Sequence, residues 1–340
     1  MDRQEFSMKP LEVKAAVDHL VQERVPLFLW GAPGIGKSSI VRQIAQERGI
    51  GFMDLRLTLL DPTDLRGIPF FDAASHKAVW APPAFLPDGS EPEGILFLDE
   101  LNTAAPMVQA SAYQLILDRR IGEYELPEGW AIVAAGNRES DRGVVFRMPA
   151  PLANRFVHLE MEIDPNQWRS WAVANGFDPS VIGFISARPE ALFMFDAKSA
   201  HRSFATPRSW EYVDKILKST PEEALLMPLL AGSIGEELAA EFLSWRASAG
   251  ELPDLEAILE GESQPIPKST NALHVLSSMI VARIEPKTPT QTLENLLGYL
   301  LELDPEFSVM IVKELQQKGV LLEKASNWKQ WIKAFGYLLA

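Results

Sequence analysis

Apolar positions in the first half of the chain alternate between a helical and an extended period. Residues 11–24 place Val13, Ala16, Val17, Leu20 and Val21 at i, i+3, i+4, i+7 and i+8, one face of an amphipathic helix that Pro26 stops. The run PLFLWG (26–31) is short, apolar and closed by glycine, the pattern of a strand buried on both faces. Beyond a glycine-rich loop, helical spacing resumes from Ser38 to Arg48 through Ile40, Val41, Ile44 and Ala45, and Gly49 ends it. FMDLRL (52–57), ILFLD (95–99), AIVAAG (131–136) and FVHLEM (156–161) predict four further strands. Strands alternating with helices predict an α/β domain with a parallel sheet over residues 1–165.

After about residue 165 the glycine-bounded strands disappear and helical periodicity takes over. Helices are predicted over 177–196, 208–219, 234–248, 271–283, 288–303, 305–318 and 327–339. The stretch EGESQPIPKST (260–270) is polar, holds two prolines and reads as a linker. It divides the helical half into a subdomain over 166–260 and an extension over 271–340. Neither an internal repeat nor a low-complexity tract is evident.

Composition narrows the chemistry. Hydrophobic residues make up 47% of the 340 positions and charged residues 23%, which argues for a folded chain. The chain has no cysteine, which excludes thiolate zinc sites, iron–sulfur clusters and cysteine nucleophiles. Its five histidines lie far apart and read as ordinary surface or core residues. With 46 acidic against 32 basic side chains the net charge is −14, so nucleic acid is a poor default partner. No uncharged apolar run reaches the ~18 residues of a membrane span. The N-terminal MDRQEFSMKP lacks the apolar stretch of a signal peptide. A soluble, cytoplasmic protein is the expectation.

The strongest chemical signal is Gly31-Ala32-Pro33-Gly34-Ile35-Gly36-Lys37-Ser38, followed by Ser39, a G-x4-G-K-S loop between a predicted strand and a predicted helix. Its glycines let backbone N–H groups turn inward around a polyphosphate, and the helix adds its positive N-terminal end. Lys37 would reach the β- and γ-phosphates, and the Ser38 hydroxyl would ligate Mg²⁺. The strand at 95–99 ends in Asp99-Glu100, where Asp99 would hold Mg²⁺ through water and Glu100 would orient and deprotonate an attacking water. Adjacent carboxylates suit hydrolysis rather than transfer to a hydroxyl substrate. Three further residues carry a functional and a plain reading each. Asn137, closing AIVAAGN, would orient the water or sit in a turn. Arg155, in PLANRF, would reach the phosphoryl group of a neighbouring subunit or lie on the surface. Arg208, in TPRSW, would contact the γ-phosphate from the helical region or be a solvated helix residue.

Taken in this order, the five features resemble an AAA+ ATPase: Walker A, Walker B, sensor 1, arginine finger and sensor 2, over about residues 8–220. DPTDLRGIPF (61–70) with KAVWAPPAFLP (77–87) looks like the helix-2 insert of the MoxR-like group, and IGEYELPEGW (121–130) like a pre-sensor 1 hairpin. FLDELNTAAPMVQASAYQLILDRRIG (97–122) and GNRESDRG (136–143) are similar to that group too. Its Walker A more often has threonine where this chain has Ser38, which offers the same oxygen. The resemblance implies a P-loop NTPase core, a helical lid and C-terminal helices. It also implies ATP and Mg²⁺ as ligands, and a homo-oligomeric ring, commonly a hexamer, that remodels or activates a protein client. MoxR-like proteins commonly work with a von Willebrand factor A-domain partner. No Asp-x-Ser-x-Ser run is present here, so that domain is expected on a separate protein. Arg138, Arg142 and Arg147 crowd the region before Arg155, and any of them would be able to share the finger role. No base-reading motif separates ATP from GTP. Two rival functions remain, a nucleotide-gated scaffold with slow hydrolysis and a DNA-directed ring motor. Phe70, Phe71 and Trp80 on the insert are expected to pack the hairpin against itself, the alternative being a grip on a client. Trp30 and Trp130 are expected in the core.

Overall fold

The computed structural model describes residues 7–74, 76–138, 141, 146, 148–195, 202–248 and 252–338. Its contacts divide the chain into two compact units, one running up to Asp164 and the other starting at Pro165.

The first unit opens with β1 (Ser7–Met8), α1 (Pro10–Gln22), β2 (Leu27–Trp30), α2 (Lys37–Arg48) and β3 (Gly51–Arg56). A hairpin of β4 (Ile68–Asp72) and β5 (Lys77–Ala81) follows, then β6 (Gly94–Asp99) and α3 (Pro106–Asp118). A second, shorter hairpin of β7 (Arg120–Ile121) and β8 (Tyr124–Glu125) precedes β9 (Trp130–Gly136), α4 (Ala150–Ala153) and β10 (Val157–Met161). Six strands form one parallel sheet in the order β1-β10-β2-β9-β6-β3. The five strands that periodicity predicts are all in it. The two-residue β1, paired with β10, is too short to carry a pattern.

Alternation of side chains splits each strand between two apolar layers. Leu96, Leu98, Ile132 and Ala134 pack with Val108, Ala112, Leu115 and Ile116 of α3. The opposite face is covered by α1 and α2, whose Val13, Val17, Val41 and Ile44 are fully buried. Because both faces are covered, β9 is apolar throughout and β6 is apolar up to its last residue, Asp99, whereas β3 at the edge carries the exposed Asp54 and Arg56. The Trp130 indole lies across the sheet beside two glycines. A Cβ on Gly94 would come within 2.7 Å of it and one on Gly51 within 2.8 Å. Its N–H donates to the Glu91 carbonyl at 3.0 Å. Trp30 is only half-buried, and its indole N–H donates to His158 Nδ1 at 2.9 Å.

The hairpins occupy the segments that resemble the insert and the pre-sensor 1 element. The expectation for the aromatics of the first is overturned, since Phe70 is 57% and Phe71 71% exposed. Two strands alone have no layer to bury them, and Ile68 at 66% shares their exposure. Trp80 is half-buried, and its backbone N–H donates to Glu123.

The second unit is helical: α5 (Pro165–Ala174), α6 (Pro179–Ala187), α7 (Pro207–Lys218), α8 (Glu223–Ile234), α9 (Glu236–Ser248), α10 (Leu255–Glu260), α11 (Thr270–Arg283), α12 (Thr290–Leu300), α13 (Pro305–Gln317) and α14 (Trp328–Phe335). Phe184, Trp210 and Phe242 meet edge-on between α6, α7 and α9 with centroids 5.2–5.7 Å apart. Gly183 of α6 lies close against the Val275 backbone of α11. A second apolar cluster joins Leu276, Leu296, Leu300, Ile311, Leu315 and Trp331. The stretch 261–268 has no regular structure, yet Tyr299 donates its hydroxyl proton to the Pro265 carbonyl. The predicted helix 177–196 ends at Ala187 because Arg188 precedes a proline and is extended, at φ −136°. Helices α5, α8 and α10 were missed for local reasons: α5 begins with the polar Asn166 and Gln167, α8 is apolar nearly all round with Pro228 inside, and α10 has six residues.

Gly94→Ala should destabilise the protein by about 1–3 kcal/mol, because neither the buried indole nor the strand has room to move. Thermal denaturation checks this, and the comparable change Gly89→Ala, at a loop position with nothing within 4 Å, tests instead the strain of a positive φ (84°).

Candidate nucleotide site

Parallel strands deliver all their carboxyl ends to one edge of the sheet, and β2, β9, β6 and β3 are consecutive neighbours there. The loops leaving them carry most of the residues singled out in the sequence. After β2, Gly31 to Gly36 wrap around the start of α2. Gly34 (φ 77°) and Gly36 (φ 103°) take left-handed conformations that a side chain disfavours, and Gly36 serves as the N-cap. Gly36 contributes no side-chain cap to the first turn of α2, and a helix start of this kind is suited to receive an anion.

Lys37 begins α2 and is buried, its ammonium folded back over the loop. Nζ donates to the carbonyls of Gly31 at 2.7 Å and Ala32 at 3.0 Å, and to Asn137 Oδ1 at 3.1 Å. The structure thus joins the phosphate loop directly to the residue read as sensor 1, at the tip of β9. Ser38 is half-buried and Ser39 exposed.

Asp99 ends β6, where burial pushes its carboxyl above the usual range. The Lys37 charge and a hydrogen bond from the Glu100 N–H (2.9 Å) oppose that rise, while Asp54 and Glu100 add to it. Glu100 has φ 59°, a conformation that costs a non-glycine residue ~1 kcal/mol or more. The turn is held by N–H groups of Thr103 and Ala104 donating to the Glu100 carbonyl, and by Leu101 N–H donating to Ala135 of β9. The side chain is turned so that Oε2 accepts the Thr58 hydroxyl proton at 2.6 Å.

Two residues that the sequence reading passed over belong to this site. Thr58 lies in the turn after β3 and reaches Glu100 only through strand pairing, with no local signal. Asn102 stands two residues beyond Glu100 and is 1% exposed. Its neighbours Asp99, Glu100 and Thr103 are polar too, so no local pattern in the sequence marks it.

The arginines separate. Arg138 is engaged within its own unit, paired with Glu160 at 2.8 Å and donating to the Met161 carbonyl at 3.0 Å. Arg142 and Arg147 lie outside the described residues. Arg155 follows α4 and is exposed; its backbone N–H donates to the Leu152 carbonyl, while its guanidinium has no hydrogen-bond or ion-pair partner among the described residues. Arg208 is the second residue of α7 in the helical unit, exposed beside a capping box formed by Thr206 and Ser209.

The donor set fits Mg²⁺ and a polyphosphate: a hydroxyl at Ser38, a carboxylate at Asp99, an ammonium at Lys37 and the open helix start. The fold and this edge define a P-loop nucleotide-binding domain. Residues 26–158 match the model of the ATPase family associated with various cellular activities (AAA). Two curated relatives match parts of it. Midasin of Giardia intestinalis is 30% identical over 160 residues, 45% of this chain and 3% of midasin. The Holliday junction branch migration complex subunit RuvB of Parabacteroides distasonis is 30% identical over 117 residues, 34% of this chain and 27% of that protein. The chain thus spans a minor part of either relative. Among solved structures, NtrX from Brucella abortus in complex with ADP aligns at 12% identity and a TM-score of 0.41, covering 96% of this chain and 68% of that one. No described helix is long and apolar enough to cross a membrane.

Asp99→Asn should raise the melting temperature of the nucleotide-free protein at pH 7 by ~2 °C. The folded-state carboxyl titrates above its unfolded value, so its burial penalty is full above the folded pKa and is relieved as pH falls through it. The advantage of the variant should therefore shrink as pH is lowered toward the ordinary carboxylate range. Mg²⁺-dependent stabilisation by nucleotide should be present in the wild type and lost in Asp99→Asn.

Proposed function

We propose that the protein is a MoxR-like ATPase that hydrolyses ATP with Mg²⁺ in a homo-oligomeric ring, commonly hexameric, and uses the cycle to remodel or activate a protein client. The observation that carries hydrolysis is the convergence of Lys37, Asn137, Asp99 and Glu100 on one sheet edge, with Glu100 held in a strained turn. Bound Mg²⁺ would supply charge neutralisation between the phosphates and would be held by Ser38 and Asp99. Lys37 exchanges its carbonyl partners for anionic phosphate oxygens, a stronger set of acceptors. Glu100 orients a water and accepts its proton as oxygen attacks phosphorus in line and the β–γ bridging bond breaks. Asn137 holds the same water or the γ-phosphate from β9.

The Arg155 side chain is exposed and without a partner among the described residues, which suits a guanidinium completing the site of a neighbouring copy; Arg208 would act from the helical unit. A protein client is supported by the net charge of −14 and by the solvent-facing Ile68, Phe70 and Phe71, which are suited to apolar contact. The partner carrying a von Willebrand factor A domain rests on family resemblance alone.

Lys37→Ala should lose tight nucleotide binding, while Glu100→Gln should bind ATP and fail to release phosphate. Equal phosphate release by wild type and Glu100→Gln would overturn the assignment. Arg155→Ala should bind ATP but hydrolyse it ~10³-fold more slowly, as other arginine fingers do. Mixed assemblies of Arg155→Ala and Glu100→Gln should recover part of the activity if the finger acts across subunits. Affinity purification of Glu100→Gln in ATP, with mass spectrometry, tests the partner. Repeated recovery of DNA with no von Willebrand factor A protein would favour the DNA-directed motor instead.

A further inference from the structure

Asn102 is the most deeply buried polar side chain beside the site, and the mechanism above does not use it. It lies two residues past Glu100, on the turn that Leu101 ties to β9. Its Nδ2 donates to the backbone carbonyl of Asn137 at 2.8 Å. Its own carbonyl accepts the N–H of Phe146, beyond the sensor loop, at 2.8 Å. Its Oδ1 is fully buried and has no hydrogen-bond partner. That oxygen presses on Gly136, where any Cβ would collide with it and come within 2.7 Å of the Phe28 ring.

A buried acceptor left unpaired costs about 1–3 kcal/mol, and an apolar side chain of the same size would avoid it. What the asparagine provides in exchange is the bond to Asn137. Among the described residues no other donor bonds the Asn137 carbonyl, and the Asn137 side chain is at the same time held by Lys37. The chain of contacts therefore runs from the strained Glu100 turn through Asn102 to the backbone of Asn137, and through the Asn137 amide to Lys37 in the phosphate loop. Gly136 is part of the arrangement, because its missing side chain is what lets the Asn102 amide lie flat against the end of β9.

We infer that Asn102 is a positioning residue for hydrolysis: its side-chain amide sets the backbone of Asn137 relative to Glu100, so that the water-orienting amide and the base face the same point. Misplacing reacting groups by ~1 Å costs on the order of 100-fold in rate, while phosphate binding by the loop depends on other atoms. Loss of the amide thus acts on turnover and spares affinity. This inference rests on the ATPase reading proposed above.

The test compares Asn102→Ala and Asn102→Asp with wild type, by steady-state phosphate release and by titration with a fluorescent ATP analogue. The aspartate has nearly the same shape and no N–H donor; its ionised carboxylate cannot bond the Asn137 carbonyl whereas its protonated form can, so a kcat that recovers as pH is lowered isolates the bond even if the alanine variant folds poorly. Both should lower kcat by ~10-fold or more while leaving the nucleotide Kd within about twofold. In an Asn137→Ala background, where the positioned side chain is gone, Asn102→Asp should add little further loss. Full kcat in Asn102→Asp, a parallel loss of Kd and melting temperature, or losses that multiply with Asn137→Ala would each overturn the inference. A wild type that releases no phosphate from ATP would instead overturn the ATPase reading, so the two failures are distinguishable.

Discussion

The ammonium of Lys37 is the point at which the two halves of the site depend on each other. It is buried at the start of a helix, where the positive end of the dipole disfavours a cation. Its position is held by acceptors, the two loop carbonyls behind it and the Asn137 amide across the sheet. Those bonds curl the loop back on β2 and tie it to the tip of β9, the strand paired with β2 at the sheet's carboxyl edge. The same charge opposes the rise in the Asp99 pKa, keeping a desolvated carboxylate available one strand further on. A single cation thus bonds the loop and the tip of β9 at once and opposes the effect of burial on Asp99.

This coupling depends on strand order more than on any motif. In the sheet the phosphate loop follows β2, Asn137 follows β9 and the acidic pair follows β6, and these three strands are adjacent although about 65 to 100 residues of chain separate the first from the others. The parallel pairing is in turn maintained by layers on both faces and by close packing such as the Trp130 indole over Gly94 and Gly51. The insert hairpin lies outside those layers, and for that reason its phenylalanines remain in solvent.

Most of the first unit was legible because its strands are buried on both faces and bounded by glycine or proline, leaving little ambiguity of period. The phosphate loop and Asp99-Glu100 were legible as short contiguous patterns. What stayed hidden was made by pairing across the sheet. Thr58 meets Glu100 only because β3 and β6 align with Arg56 opposite Asp99, and no spacing in the sequence encodes that register. Asn102 looked like an ordinary turn residue until its burial was seen. In the helical unit, α8 escaped detection because a helix apolar on nearly every side has no amphipathic period, and α5 because its first turn is polar. The aromatics of the hairpin were misjudged for a related reason: alternation describes which residues share a face, but not whether a second layer exists to cover it.

The departures from ordinary folding preferences are themselves informative in their placement. A glutamate in a left-handed turn, an aspartate raised by burial and an asparagine with a buried unpaired oxygen occur within four consecutive positions, Asp99 to Asn102. Each alone weakens the fold by an amount that a nearby apolar or glycine substitution would recover. All three hang from the end of β6, whose Leu96, Phe97 and Leu98 are wholly buried, so the strand anchors a turn that would not hold itself. A rigid sheet can carry such a turn because its strain is local, whereas a helix end would transmit it along the axis or fray. The polar residues of this turn are therefore placed where the structure is stiff on one side and open on the other, and it is the buried strand behind them that keeps Asp99, Glu100 and Asn102 from relaxing into a less strained arrangement.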